Sequence, residues 1–293
     1  MAGAQLRDTR RRIRGIESTK KITRAMELIA ASRIPRAIAR VQGSKPYTEK
    51  LIEVIENVGA ARGGVSHRLL ERREVQTVGL LIVTSDRGLA GAYATNVIRL
   101  AEQRINELRK EGKDVLLYTV GKKAQGYFRY RGYRIEQAYL GVTDTPGYGD
   151  ARAIAARIMG SYAEHHIDAL ETFFTSFRSA MTQVPVRRAL LPITPPQPAE
   201  GEGPGRVSYQ FEPSPEEILG RLLPRYVEAT IFNMLLEASA SEHSARRRAM
   251  KAATDNAEEL IRVLRVQANR ARQAEITTAI TEIVGGAEAL IEG

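Results

Sequence analysis

Three short stretches carry residue types suited to phosphate, dinucleotide or metal chemistry. Gly121-Lys122-Lys123-Ala124-Gln125-Gly126 spaces two glycines as in a phosphate loop, whose backbone N–H groups cradle an anion. Tyr127 and Phe128, however, stand where Lys and Ser/Thr would have to reach phosphate oxygens and magnesium. Gly88 and Gly91 lack the third glycine of a dinucleotide fingerprint, and no acidic residue follows at the expected strand end. His165-His166 is a candidate metal pair, but neighbouring residues at a helix end point in different directions. Nothing in the chain assembles a nucleophile, base and orienter, and cysteine is absent, which excludes disulfides, thiolate metal sites and thiol nucleophiles. These glycines read as tight turns of a sheet. No catalytic, cofactor-binding or metal-binding residue is expected, and no tight nucleotide binding.

The elements around those turns alternate. Val75 to Thr84 is a mostly apolar run of the kind found in buried parallel strands. Strands are also predicted over Val115 to Val120, Tyr133 to Tyr139, Ala169 to Phe177 and Val184 to Leu191, with helices over Ala90 to Lys110, Gly121 to Tyr130 and Asp150 to Glu164. Such alternation points to a largely parallel, Rossmann-like sheet. Residues 194–206 are too rich in proline and glycine to pack and form a linker.

Both ends read as long helices. Ser214-Pro215-Glu216-Glu217 is a capping box with proline at the first helical position, and Gly285-Gly286 is the first strong stop after it. A helix between them would be roughly 100 Å long. Near its end Ile276, Ile280, Ile283, Ala287 and Leu290 recur with the 4 and 3 spacing of a coiled-coil seam. The N-terminal segment offers Ile22, Met26 and Ile29, then Ile34, Ile38 and Val41, with a step of five between the sets and Pro35 at the step, where a kink is expected. Residues 238–253 are rich in alanine and serine, so a neighbouring helix can approach them closely, and the apolar runs beside them imply neighbours on several sides. The organisation expected is an N-terminal coiled-coil helix over 1–58, an α/β domain over 75–193, a linker and foot segment over 194–213, and a C-terminal coiled-coil helix over 214–293.

The formal net charge is +10. Residues 1–45 hold 12 Lys and Arg against 3 Asp and Glu, whereas residues 214–289 hold 10 against 11. The basic excess therefore belongs to one helix. It suits a protein slot lined with carboxylates; the alternative is a basic coiled-coil nucleic-acid-binding protein that sets this helix against phosphates. Met1 leads directly into a charged helix, with no apolar stretch long enough for a signal or membrane span, so a cytosolic chain is expected.

Thr23-Arg24-Ala25-Met26-Glu27-Leu28-Ile29-Ala30-Ala31-Ser32, Ser85-Asp86-Arg87-Gly88-Leu89, Ala249-Met250-Lys251-Ala252-Ala253-Thr254-Asp255-Asn256-Ala257 and Ile283-Val284-Gly285-Gly286-Ala287 occur in an order and over a span that resemble the γ subunits of F-type ATP synthases. The resemblance implies an antiparallel coiled coil of the terminal helices, with the α/β domain at its base. It implies a non-catalytic rotor held by three α and three β subunits, the ε subunit and the ring of c subunits, on the cytoplasmic face of the bacterial cell membrane. It also implies that Met26, Arg246, Arg272 and Gln273 face the β subunits and that Tyr209, Phe211 and Glu212 lie against the c ring. Thr278 and Ala279 depart from the Gln and Glu common in that family, Ala90 from a frequent Cys, and Pro35 from a regular helix.

Overall fold

A computed structural model describes residues 2–59, 67–194 and 214–291. In chain order they form α1 (Ala2–Gly59), a 3-10 turn (Arg68–Leu70), β1 (Thr77–Val83), α2 (Tyr93–Lys110), β2 (Asp114–Val120), α3 (Lys122–Tyr130), β3 (Ile135–Tyr139), α4 (Tyr148–Ala163), β4 (Ala169–Phe177), β5 (Gln183–Leu191) and α5 (Pro215–Ile291). Every predicted strand and helix is present, with bounds shifted by a few residues. The chain divides into two compact units, residues 31–246 and the pair of segments 1–30 and 247–293.

In the larger unit the strands lie in the order β3-β2-β1-β4-β5, parallel except for the antiparallel β4–β5 hairpin. Strand periodicity sorts the side chains of β1. Val78, Leu80 and Ile82 meet Val97, Ala101, Ile105 and Leu108 of α2 and Phe128 of α3. Leu81 and Val83 join the opposite layer, which contains α4, Leu51, Ile55 and Val58 of α1, and α5 from Leu219 to Ala238. Covered on both faces, β1 reads as an apolar run without alternation. Each fully buried Leu, Ile or Phe contributes roughly 1.5–3 kcal/mol.

The smaller unit is an antiparallel helix pair. Lys20 meets Glu258, Thr23 meets Thr254 and Glu17 meets Arg265, so position falls along α1 as it rises along α5. The α5 seam is Met250, Thr254, Ala257, Ile261, Leu264 and Ala268, all buried at steps of 4, 3, 4, 3 and 4.

The α1 seam differs from the apolar pattern. Thr23, Glu27 and Ala30 are buried, and in the larger unit Ile34, Ala37 and Val41 follow, an unbroken 4-3 alternation with no step of five. Ile22 and Ile29 are instead 61% and 54% exposed, Ile38 is half-buried, and Met26 is half-buried beside the seam. Hydrophobicity alone misplaced the stripe because its inner positions include a threonine, a glutamate and alanines. The Thr23 and Thr254 hydroxyls satisfy one another at 2.8 Å, and Arg24 donates to Glu27 at 2.8 Å, so the polar seam is partnered.

α1 continues through Pro35, which lies on the exposed face, where water can satisfy the carbonyl that proline leaves without a donor. One further expectation is corrected. Gly285-Gly286 does not stop α5, which continues to Ile291 from a start where the Ser214 hydroxyl accepts the Glu217 N–H at 3.2 Å. The distal seam residues Ile276, Ile280, Ile283 and Ala287 are exposed, and the Leu290 side chain lies outside the described residues.

The two stretches of seam should respond differently to truncation. Ile261→Ala removes a packed seam residue and should cost the isolated chain about 2–4 kcal/mol. Ile276→Ala should stay within about 0.5 kcal/mol. Urea-unfolding midpoints of the two variants check this, and equal shifts would contradict the seam described.

Candidate functional site

In an open α/β sheet a ligand site forms at the carboxyl ends of the strands, where strand order reverses. Here that place lies between β1 and β4, and protein fills it. Asp86, which follows β1, accepts the Lys122 N–H on Oδ1 at 3.2 Å, and on Oδ2 the Gly141 N–H at 3.0 Å and the Thr143 hydroxyl at 3.0 Å. Lys123 N–H donates to the Ser85 carbonyl and Ala124 N–H to the Thr84 hydroxyl. The first N–H groups of α3, which a phosphate would need, are therefore occupied.

The glycine pattern has its own explanation. Gly121 has φ +92°, and a Cβ there would sit 2.8–2.9 Å from backbone atoms of Ser85 and Thr84. Glycine lets the β2–α3 turn press against the end of β1. Tyr127 donates its hydroxyl to Glu102 at 2.7 Å, and Phe128 is a core residue. His165 faces Arg73 and His166 faces Glu164, and among the described residues no His, Cys, Asp and Glu group could hold a metal ion.

The small-residue part of α5 lies across this crevice. Residues 238–244 are all buried, a run longer than a helical turn and so enclosed on every side. Tyr93 donates its hydroxyl to the Ala238 carbonyl at 3.0 Å, Ser241 to the Thr175 carbonyl at 3.2 Å, and Ser239 to the Asp144 carbonyl at 3.0 Å. Arg246 donates to Glu242 and to the Gly88 carbonyl. His243 Nε2 lies 3.3 Å from the Asp144 carbonyl; a carbonyl only accepts, so Nε2 carries the proton. Burial raises the Glu242 carboxyl despite the Arg246 guanidinium beside it. Burial likewise lowers His243, against the pull of Asp144, with Arg246 and Arg33 adding to the lowering.

The expected contact residues fall in three places. Met26, half-buried, and Arg272 and Gln273, both exposed, belong to the smaller unit. Arg246 is buried in the larger one, hydrogen-bonded within the chain. Tyr209, Phe211 and Glu212 lie outside the described residues. Sequence reasoning missed Arg33, Asp144, Glu242 and His243; the run of small residues around 238–244 was the only signal near them.

α5 also carries exposed apolar residues, Val263 and Val266 on the outer face of the paired stretch and Ile276, Ile280, Ile283 and Val284 beyond the buried seam. Apolar surface on this scale marks a contact with another macromolecule. On the basic helix, Lys20, Arg24 and Arg33 already face Glu258, Glu27 and Asp144, which reduces the charge available to phosphates.

A family model described as ATP synthase matches residues 5–290. The ATP synthase gamma chains of Parafrankia sp. (strain EAN1pec) and Frankia casuarinae are each 48% identical to this chain, with all of both chains covered. That of Mycolicibacterium smegmatis is 44% identical over 98% of each. Among solved structures, a chain of the Euglena gracilis mitochondrial ATP synthase OSCP/F1/c-ring assembly aligns with a TM-score of 0.67 at 15% identity, covering 98% of this chain and 95% of that one. A chain of the Tetrahymena thermophila mitochondrial central stalk and c-ring aligns with a TM-score of 0.59 at 21% identity, covering 79% and 99%. These two likenesses show a shared fold. Nothing among the comparisons supports the nucleic-acid-binding alternative.

His243 sets a pH dependence. Its folded-state pKa lies below the usual 6.5, so below about pH 6.5 the unfolded chain binds the proton first. Its neutral burial therefore adds stability that is complete above that pH and is lost as pH falls through the depressed folded value. The melting temperature should drop as pH falls below about 6.5, and His243→Asn should flatten that limb; parallel profiles for parent and variant would contradict it.

Proposed function

Since the chain belongs to the ATP synthase gamma-chain family, we propose that it works as the central-stalk rotor of an F-type enzyme, coupling proton-driven rotation of the c ring to ATP synthesis at the β subunits, and the reverse when ATP is hydrolysed. The observation that carries this reading is full-length relatedness combined with a helix pair whose longer member runs on past its partner with apolar residues exposed. A rotor needs a stiff element that can enter a ring of other subunits, and a heptad-packed helix pair supplies it.

As a member of this family the chain is the non-catalytic subunit, with catalysis in the β subunits; consistent with that, Asp86 and α5 use the polar groups at the sheet end within the chain. Its partners are three α and three β subunits, the ε subunit and the c ring. Residues 1–58 and 214–293 serve as the shaft, 75–193 as the lobe at its base, and 194–213 as linker and foot. In this reading Met26, Arg272 and Gln273 face the β subunits. Arg246 contributes there only by exchanging its bonds to Glu242 and Gly88. Tyr209, Phe211 and Glu212 form the foot on the polar loops of the c ring, two aromatics and a carboxylate suited to anchoring on arginine-bearing loops. Among the described residues no helix is long and apolar enough to cross a membrane. Association with the cytoplasmic face of a bacterial membrane then runs through the c ring. Contacts of the basic helix with acidic loops are individually weak, roughly 0–1 kcal/mol when exposed, which lets the shaft turn.

Native mass spectrometry of an affinity-tagged chain extracted from membranes tests the reading. It should show one copy with three α and three β subunits, and a chain without them would refute it. Met26→Lys should add a charge that nearby β-subunit carboxylates hold at one angle. A contact strengthened by about 1–2 kcal/mol and lost at the barrier slows rotation roughly 5- to 30-fold. ATP hydrolysis should persist while protons pumped per ATP fall; an unchanged ratio in vesicles would remove Met26 from the coupling path.

A further inference from the structure

Resting on the rotor reading, we infer that the loop 140–147 between β3 and α4 is a clasp that locks both shaft helices to the sheet, with Asp144 bonded to each of them. Its side chain takes α1: Arg33 Nη1 lies 2.7 and 2.5 Å from the two carboxylate oxygens. Its backbone carbonyl takes α5, accepting the Ser239 hydroxyl at 3.0 Å and facing His243 Nε2 at 3.3 Å. Two turns along α1, Arg40 donates to the Pro146 carbonyl of the same loop.

The loop is itself held to the sheet. Asp86 at the end of β1 accepts from Gly141 N–H and from Thr143, and Asp150 accepts the Gly147 N–H at 2.7 Å. The sheet end, the loop and two helices are thus joined through charge-assisted and backbone hydrogen bonds, which hold geometry better than apolar contact because they are directional. The location suits a mechanical role. Lower on α1, Leu51, Ile55 and Val58 are sunk in the core, whereas Arg33 and Arg40 fasten the helix near the carboxyl end of the sheet. Apolar packing there joins Ala37 and Val41 of α1 to Leu236 and Ala240 of α5, with Phe177 and Phe232 partly buried against them. Apolar contacts are not directional, so the polar clasp, together with the Asn233 amide that donates to the Thr48 hydroxyl at 2.6 Å, resists a shift of α1 along α5 when the lobe is turned. Arg33 and Asp144 are positioning residues in this scheme and touch no substrate.

The test uses the complete enzyme in inverted membrane vesicles carrying Asp144→Asn, Arg33→Gln or both. ATP hydrolysis should stay within about twofold of the parent. Protons pumped per ATP should fall about threefold in each single variant, the size expected for one half-exposed ion pair, and no further in the double variant, because the two changes break one interaction. A merely structural role would lower yield or melting temperature and leave the ratio alone; an unchanged ratio in assembled enzyme overturns the clasp, as does a double variant whose loss is the product of the two singles. Should Asp144→Asn fail to assemble, Arg33→Gln, at a helix position 40% exposed, breaks the same ion pair, and its ratio alone upholds or overturns the clasp. A parent chain that joins no α and β subunits would instead refute the rotor reading, and the clasp with it.

Discussion

The structure depends on one close approach: residues 238–244 of α5 pressed into the carboxyl end of the sheet. Alanine and serine there let the helix axis come near enough for its backbone carbonyl at Ala238 to take the Tyr93 hydroxyl and for Ser241 to reach the end of β4. A larger side chain at Ala240 or Ser241, both fully buried, would force the helix outward and open the crevice to water. The same contact buries Glu242 and His243, two groups costly to place in a low dielectric unless paired. Arg246 and the Asp144 carbonyl supply those partners, so the polar network follows from the packing and would not form without it.

The same end of the sheet turns inward the donors that an α/β sheet of this order can offer to a ligand. The architecture normally leaves an opening at the switch point, with helix N-terminal N–H groups aimed into it. Here Asp86 supplies the negative charge that α3 would otherwise draw from a phosphate, and it ties the β2–α3 turn and the β3–α4 loop to the end of β1. An anion site has become an internal joint. The carboxylate is held by backbone donors from both segments, an arrangement that fixes loops more firmly than a mobile ligand would.

The helix pair follows a different balance. Its seam mixes Ile261 and Leu264 with Thr23, Glu27 and Thr254, a weaker interface than an all-apolar one. Polar seam positions fix register, because sliding by a turn would set Thr23 or Glu27 against apolar side chains without a partner. For an element that must keep its phase under load, register matters more than maximal stability. The distal α5 seam, exposed in this chain, needs apolar surface from elsewhere to be stable in water.

The sequence by itself determined the elements and their kind. Strand and helix periodicities located all five strands of the sheet, and the capping box at Ser214 marked the start of α5. Of the α1 seam Ile34 and Val41 were legible, whereas Thr23, Glu27 and Ala30 carry little hydrophobic signal and are buried only by what α5 presents to them. Pro35 and Gly285-Gly286 carry strong local signals that the helices override, since local propensities of a few kcal/mol yield to the surrounding helix geometry. The roles of Asp86 and Asp144 were decided by tertiary structure alone. Each binds groups tens of residues or more away in the chain, and no local pattern encodes which distant N–H or guanidinium a carboxylate will meet.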